Sequence, residues 1–191
     1  MQQLAEGILL YHGGYTEITK IDLSMCKGGL DFGKGFYLTS SYQQARNYIP
    51  SSIKKNIRRR KLPADFSIND GRITVFRFHP DPELLIHCFK TADVDWLHFV
   101  AGNRDDSLFQ EMIHQLARYD IVGGKVADDS TAATLNAYIT GDYGIPGLER
   151  ADNFTISGLL PERLTDQFCF RTQKAIQSLE FVRSDRYGDT K

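Results

Sequence analysis

Three short segments contain residues whose types and spacing could hold a planar, hydroxylated small molecule. His12 precedes two glycines, Tyr37 ends the segment Phe-Gly-Lys-Gly-Phe-Tyr, and Gln167 begins Gln-Phe-Cys-Phe. An imidazole can donate a hydrogen bond to a hydroxyl without carrying a charge. A tyrosine ring can form one wall of a slot for a planar group, and a glycine lets that group approach the backbone without meeting a Cβ. Gly33 and Gly35 let the chain turn sharply just before the tyrosine.

These segments, with the helix predicted after the second one, resemble the donor site of the ADP-ribosyltransferase superfamily. The similarity is to the branch of the poly(ADP-ribose) polymerases and diphtheria toxin. That branch has His-Gly on one strand, Phe-Gly-x-Gly-hydrophobic-Tyr on the next, and Glu-Tyr at the start of a late strand. The whole chain also resembles a family of small bacterial proteins assigned to this superfamily, many of them encoded beside a small partner protein in arrangements like toxin–antitoxin pairs. The resemblance implies that NAD+ serves as a donor of ADP-ribose.

The resemblance gives a role to each matching residue. It implies that His12 holds the ribose on the adenosine side of NAD+ and that the backbone of Gly13 binds the nicotinamide carboxamide. Tyr37 corresponds to the first aromatic wall of the nicotinamide pocket. Tyr48 follows it at the spacing at which the family places a second, stacking tyrosine on a helix. Ala45 stands where the polymerases have a serine that contacts the carboxamide, so one donor contact is missing.

The third position departs from the family pattern, because Gln167 stands where active transferases usually have a glutamate. In the family, that carboxylate accepts from the ribose 2′-OH and stabilises the oxocarbenium-like charge that develops as nicotinamide leaves. A glutamine keeps the accepting oxygen and loses the charge, a change worth roughly 2–4 kcal/mol in a desolvated site. We therefore expect slowed, single transfer rather than chain extension. Of the nearby carboxylates, Asp166 should face away from Gln167 on a strand, and Glu180 should follow a helix away from the cleft.

The function predicted from these residues is mono-ADP-ribosylation of a protein or nucleic acid, with NAD+ as substrate and no metal. Two alternatives use the same donor site. One is an NAD+ glycohydrolase, in which water is the acceptor, and the other is a non-catalytic module that binds NAD+ or ADP-ribose. A small antitoxin protein is a further partner implied by the resemblance. Taken singly, His12 also fits a buried, hydrogen-bonded histidine, and Tyr37 fits a core aromatic.

Local patterns predict an α+β fold that positions these residues. Apolar or alternating runs predict strands, which are at 7–12, at the end of 27–39, and at 73–79, 84–89, 119–128, 167–172 and 181–182. Capping and periodicity predict helices, which run from Ser40 or Ser41 towards 54–61, and over 92–103, 107–118, 131–141 and 173–180. The resemblance adds that the strands form two small packed sheets with an NAD+ cleft between them. We expect one domain over 1–183 and a disordered tail over 184–191.

The composition limits the class of protein. A net charge of −1 gives no global reason to expect a nucleic acid or an anionic membrane as partner. The basic run at 54–61 is typical of a solvated helix face, and the alternative is contact with a nucleic acid or an acidic target. Three widely spaced cysteines argue against a disulfide framework or zinc site and favour a reducing compartment. Without an apolar run of about 18 residues or a basic N-terminal region, the chain is expected to be soluble and cytoplasmic.

Overall fold

The computed structural model describes residues 3–126, 129–159 and 164–189. Within these ranges the chain has an α+β architecture with a mixed seven-stranded sheet and six α-helices. The strands are β1 (Leu9–Gly14), β2 (Phe36–Thr39), β3 (Arg72–Phe78), β4 (Ile86–Cys88), β5 (Ile121–Lys125), β6 (Asp166–Phe170) and β7 (Leu179–Arg186). The helices are α1 (Tyr42–Arg58), α2 (Val94–Arg104), α3 (Gln110–Leu116), α4 (Asp129–Ile139), α5 (Glu149–Leu159) and α6 (Gln173–Gln177). None of the helices in these ranges has the length and apolar character needed to cross a membrane.

The sheet has two halves that meet at one residue pair. Its strand order is β4-β5-β6-β2-β1-β3-β7, and β4 with β5 is the parallel pair. The strand β2 pairs along its length with β6, and β1 pairs along its length with β3. Between β1 and β2 the register consists of Tyr11 opposite Thr39. The prediction of two separate packed sheets is therefore wrong for the described strands, since this short ladder joins them into one.

Apolar side chains cover both faces of the sheet. On one face, Trp96 and Phe99 of α2 belong to a buried cluster that includes Cys169 of β6. On the other face, Leu10 of β1 and Phe168 of β6 belong to a second buried cluster. Central strands that are buried on both sides are expected to have nearly continuous apolar sequences. This explains why short apolar runs, rather than strict alternation, marked β1 and β6.

The start of α1 agrees with the capping pattern in the sequence. Ser41 is the N-cap, and its side chain accepts a hydrogen bond from the backbone N–H of Gln44. This bond satisfies one of the N–H groups that have no partner in the first helical turn. The helix continues through Pro50 to Arg58, so the predicted helix after β2 is confirmed.

The end of α1 has an unusual residue in the left-handed region. The N–H groups of Arg60 and Lys61 bond to the carbonyls of Ile57 and Asn56, which is the pattern of a Schellman motif. Arg60 has φ of 57°, at the position where this motif usually has glycine. The glycine that usually marks a helix end in a sequence is therefore absent here. The helix ends at Arg58, before the last residues of the basic run at 54–61.

The helix α1 lies directly against β1. The rings of Tyr11 and Tyr42 make an edge contact with centroids 5.4 Å apart. A Cβ added to Gly13 would lie 1.9 Å from the backbone oxygen of Ala45. No side chain fits in that space, so the residue at this position must be glycine for the helix to approach the strand so closely.

The C-terminal segment corrects one prediction. Ser184 to Arg186 continue β7 and pair with β3, and residues 187–189 form a short 3-10 turn. Arg186 also forms an ion pair with Asp70. The prediction of a disordered tail is thus wrong for 184–189. The polar sequence suggested a disordered segment, but backbone pairing with β3 holds it in place. Residues 190 and 191 lie outside the described ranges. The helix predicted over 173–180 is also shorter, since Leu179 already pairs in β7.

A buried polar network joins three helices behind the sheet. The carboxylate of Asp152 on α5 accepts from the hydroxyl of Tyr138 on α4 at 2.5 Å and from the backbone N–H of Gly147 at 3.1 Å. Its second oxygen lies 2.8 Å from Nε2 of His98 on α2. The side chain of Asp152 is almost fully buried, so the donors of Tyr138 and His98 depend on it, whereas the N–H of Gly147 also donates to the Tyr138 hydroxyl at 2.9 Å.

We predict that Gly13→Ala destabilises the fold by about 1–3 kcal/mol, because the new methyl group forces α1 away from β1. Urea unfolding measures the change. Gly28→Ala is the matched control, since a Cβ at Gly28 meets nothing within 4 Å. Equal unfolding midpoints for the two variants would contradict the contact between Gly13 and Ala45.

We predict that Asp152→Ala lowers the free energy of unfolding by roughly 3 kcal/mol or more, since each buried donor left without an acceptor costs about 1–3 kcal/mol. Asp142→Ala removes an exposed carboxylate from the same region and serves as the control. Thermal and urea unfolding should show a large loss for Asp152→Ala alone. A loss no larger than that of the control would mean that the network does not stabilise the helices.

Candidate functional site

The imidazole of His12 lies where the pairing of β1 with β2 stops. Its Nδ1 is 2.9 Å from the backbone oxygen of Tyr37 on β2. The ring also stacks on Phe36, with centroids 4.7 Å apart and planes 25° from parallel. The two strands are therefore joined by a side chain beyond the point where the backbone ladder ends.

This hydrogen bond determines which nitrogen of His12 is free. A carbonyl oxygen can only accept, so Nδ1 of His12 must carry the proton. Burial lowers the pKa of His12, and the bond to the Tyr37 carbonyl opposes that shift only in part. A neutral ring with Nδ1 protonated leaves a lone pair on Nε2. The expectation that His12 acts as a donor to a ligand hydroxyl is therefore corrected, because the free nitrogen of the neutral ring can only accept.

Tyr37 is fixed through both its ring and its hydroxyl. The hydroxyl donates to the backbone oxygen of Gly33 at 2.6 Å and accepts from the N–H of Phe32 at 3.1 Å. The ring stacks with that of Phe32 at a centroid distance of 6.4 Å. Burial is the main cause that raises the pKa of Tyr37, so its phenol stays neutral. Gly33 has φ of 80°, which agrees with the sharp turn predicted before the tyrosine.

The loop before β2 is held by residues that sequence reasoning did not assign. Arg104 of α2 donates from Nε and Nη2 to Oδ1 of Asp31 at 2.8 and 2.6 Å. Asn103 donates to the backbone oxygen of Asp31 at 3.3 Å. Asp31 itself is buried. No local pattern could have revealed this anchor, because the partners are 73 and 72 residues apart.

Gln167 lies on the same face of the sheet as Tyr37. In the antiparallel ladder between β2 and β6, Gln167 is opposite Thr39 and Cys169 is opposite Tyr37. Directly opposed residues project to the same side, and residues two apart on a strand share that side. Tyr37 and Gln167 are therefore diagonal neighbours on one face. The ring of His12 stacks instead on Phe36, which belongs to the buried cluster on the opposite face.

Neither nearby carboxylate takes the place of the missing glutamate. Asp166, next to Gln167 on β6, forms an ion pair with Lys125 at 3.0 Å and is buried. Glu180 lies on β7, which β1 and β3 separate from β2, and its Oε2 is 3.2 Å from Arg77 and 3.0 Å from His79. Glu180 follows the helix α6, as expected, and lies on a strand that is not adjacent to β2.

The two predicted residues of α1 have different environments. Ala45 is buried in the cluster between α1 and the sheet, where its backbone oxygen faces Gly13. Its methyl group therefore packs in the core. Tyr48 lies three residues further along the helix and is 50% exposed. The helix covers the face that bears Gln167, since Oγ1 of Thr39 on that face is 2.5 Å from Oε1 of Gln44.

A cleft of about 430 Å³ adjoins the start of β2 and the end of β6. Its lining includes Lys34 and Gly35 before β2, and Arg171 and Thr172 after β6. None of the predicted site residues lines it. Two cationic side chains in one cleft favour an anionic group, and sequence reasoning had given Lys34 and Arg171 no role. In the described ranges, no three His, Cys, Asp or Glu side chains group together as metal ligands.

Comparison with known proteins places the chain in a family. A family model described as a protein of unknown function, DUF3990, matches residues 8–181. Comparisons with curated proteins and with solved structures give no match. The matched segment runs from the residue before β1 into β7, so it includes His12, Tyr37 and Gln167. Because this match covers most of its length, the chain belongs to the DUF3990 family.

Proposed function

We propose that this chain has an ADP-ribosyltransferase-like fold, binds NAD+ where β1 and β2 separate, and transfers ADP-ribose to a protein or nucleic-acid acceptor. The hydrogen bond between His12 and the Tyr37 carbonyl is the observation that supports this most strongly. This bond holds the imidazole of His12, with a lone pair free on Nε2, at the opening between β1 and β2. Gly13 on β1 and Tyr37 on β2 border the same opening. A cytoplasmic location, expected from the composition, and a small neutralising partner protein, expected from the resemblance, are part of the proposal.

In this proposal each residue contacts a different part of NAD+. Nε2 of His12 accepts a hydrogen bond from a hydroxyl of the ribose on the adenosine side. The backbone of Gly13 binds the carboxamide of nicotinamide, and the rings of Tyr37 and Tyr48 flank its planar ring. Lys34, in the adjoining cleft, provides positive charge for the diphosphate.

The reaction breaks the bond between C1′ of the ribose and the nitrogen of nicotinamide. The electron pair of that bond leaves with nicotinamide, which becomes neutral, and a nucleophilic atom of the acceptor bonds to C1′ and releases its proton. The amide oxygen of Gln167 accepts from the 2′-OH and orients the sugar. A neutral amide stabilises the developing positive charge less than a carboxylate does, so we expect a slow enzyme.

One observation favours a second candidate, a non-catalytic module that binds NAD+ or ADP-ribose. Gln167 is neutral, Asp166 is paired with Lys125, and Glu180 lies on a distant strand. No charge from these two carboxylates can therefore replace the missing glutamate. Binding without release of nicotinamide is the behaviour that this candidate predicts.

Incubation with NAD+ labelled in its adenylate group, in the presence of a cell lysate, tests the proposed function. The measurements are free nicotinamide by chromatography and label on macromolecules after gel electrophoresis. Transfer predicts both signals, and each should be lost with His12→Ala. Nicotinamide with free ADP-ribose alone would indicate a glycohydrolase. Tight NAD+ binding with neither signal would indicate the binding module, and the absence of binding would contradict all three.

We predict that Tyr48→Ala weakens NAD+ binding by about 1–3 kcal/mol, roughly 5- to 150-fold, because one stacked ring is lost. Tyr48 is half exposed, so the variant should fold. Tyr37→Ala should weaken binding similarly, although it also removes the hydroxyl that bonds Gly33. Phe154→Ala, which removes an exposed ring from α5, is the control for calorimetric titration. An unchanged dissociation constant for Tyr48→Ala would remove that residue from the pocket.

We predict that Gln167→Glu releases nicotinamide at least as fast as the wild type, and about 10-fold faster if the added charge contributes ~1.4 kcal/mol in the transition state. Gln167→Ala should fall well below the wild type, because the contact with the ribose is lost. Steady-state release of nicotinamide by the three proteins checks this order. An inactive Gln167→Glu beside an active wild type would mean that the site requires a neutral amide, and three equal rates would place Gln167 outside the site.

A further inference from the structure

The second half of α1 and the turn after it concentrate positive charge in a chain whose net charge is −1. Residues 42–61 contain no aspartate or glutamate. We define the basic patch as the lysines and arginines near the end of α1 together with one lysine of the loop before β2: Lys27, Lys54, Lys55, Arg58, Arg59, Arg60 and Lys61. Six of them are consecutive or nearly so in sequence, and Lys27 joins them through folding.

The charges of the basic patch are not neutralised within the described part of the chain. No ion pair there includes any of its members, although ion pairs occur elsewhere on the surface. The carboxylate of Asp70, in the segment after α1, is paired with Arg186. The pKa of Lys27 is lowered, chiefly by the charges of Arg59 and Lys61, which agrees with an uncompensated positive field.

An apolar groove lies beside the basic patch. It has a volume of about 200 Å³ and runs along one side of α1, where Pro50, Ile53 and Ile57 face Phe66 and Ile68 of the following segment. Lys54 also lines it, so the groove and the patch are continuous. Ile68 is 38% exposed and offers apolar surface at the edge.

The turn that ends α1 adds a cation at a conformational cost. Arg60 occupies the left-handed position of the Schellman motif, where glycine is free of strain and other residues are disfavoured. Folding therefore does not explain an arginine here. An arginine that extends a row of unpaired cations is consistent with selection for binding.

We propose that the basic patch and the apolar groove together form a docking surface for an acidic, amphipathic segment of a partner protein. Carboxylates of that segment face the patch, and its apolar side chains, spaced as on one face of a helix, enter the groove. A single-stranded nucleic acid fits less well. Such ligands gain affinity from exposed aromatic rings on which bases stack, whereas this groove is mostly aliphatic and its one aromatic, Phe66, is half-buried.

Selection from a displayed library of short random peptides tests the proposal. The full-length protein is the bait, and the double variant Arg59→Glu, Lys61→Glu is used to remove peptides that bind elsewhere. We expect the enriched peptides to carry net negative charge and to place apolar residues three or four positions apart. Synthetic versions should bind the wild type at least about tenfold more tightly than the double variant, and added salt should weaken binding.

Single variants separate the roles of groove, charge and folding. Ile68→Asp should weaken peptide binding, whereas Ile145→Asp, at another exposed apolar residue, should not. Arg60→Gly should raise the unfolding temperature and yet weaken binding, a combination that loss of structure cannot produce. Lys90→Glu is the control for a charge reversal away from the patch.

Several outcomes would overturn the proposal. One is enrichment of neutral or basic peptides, and another is failure to enrich any peptide against the double variant. A third is an RNA oligonucleotide that binds the wild type more tightly than the selected peptides do, with a loss in the double variant and none in Ile68→Asp. That result would assign the patch to a nucleic acid. The surface does not involve the NAD+ site, so each of these results is independent of the nicotinamide assays.

Discussion

The hydrogen bond from Nδ1 of His12 to the backbone oxygen of Tyr37 links β1 and β2 where their own pairing ends. The opening between the two strands exists because the ladder stops, and it keeps its shape because the imidazole spans it and stacks on Phe36. The same bond commits one ring nitrogen and leaves the other able to accept from a hydroxyl. Strand geometry, tautomer and proposed ligand contact thus follow from one interaction.

Two further constraints hold the opening in place from either side. On one side, α1 lies so close to β1 that only glycine fits at position 13, beneath the backbone oxygen of Ala45. On the other side, Asp31 and Arg104 attach the loop before β2 to α2, and the hydroxyl of Tyr37 bonds that loop to its own strand. The glycine that the resemblance assigns to carboxamide binding therefore also has a packing role, and the two roles require the same residue.

Sequence reasoning succeeded where the determinant is local. The cap at Ser41, the strand containing Tyr37 and the opposite orientations of Asp166 and Gln167 follow from capping, apolar runs and strand alternation. It failed where partners are distant in the chain. The union of all strands in one sheet rests on the single pair of Tyr11 and Thr39, and the order of the C-terminal segment rests on pairing with β3. The cleft that Lys34 and Arg171 line likewise has no local signature, since folding alone brings those residues together.

Nitrogen-15 NMR of the histidine rings tests the central claim most directly, with His12 assigned by its absence in His12→Ala. In the free protein, the account predicts a neutral His12 ring at neutral pH, with the proton on Nδ1 and an unprotonated Nε2. Addition of NAD+ should shift the Nε2 resonance as a ribose hydroxyl bonds to it, while Nδ1 keeps its proton. A ring protonated on Nε2, or a His12 spectrum that does not change when NAD+ binds, would contradict the proposed site.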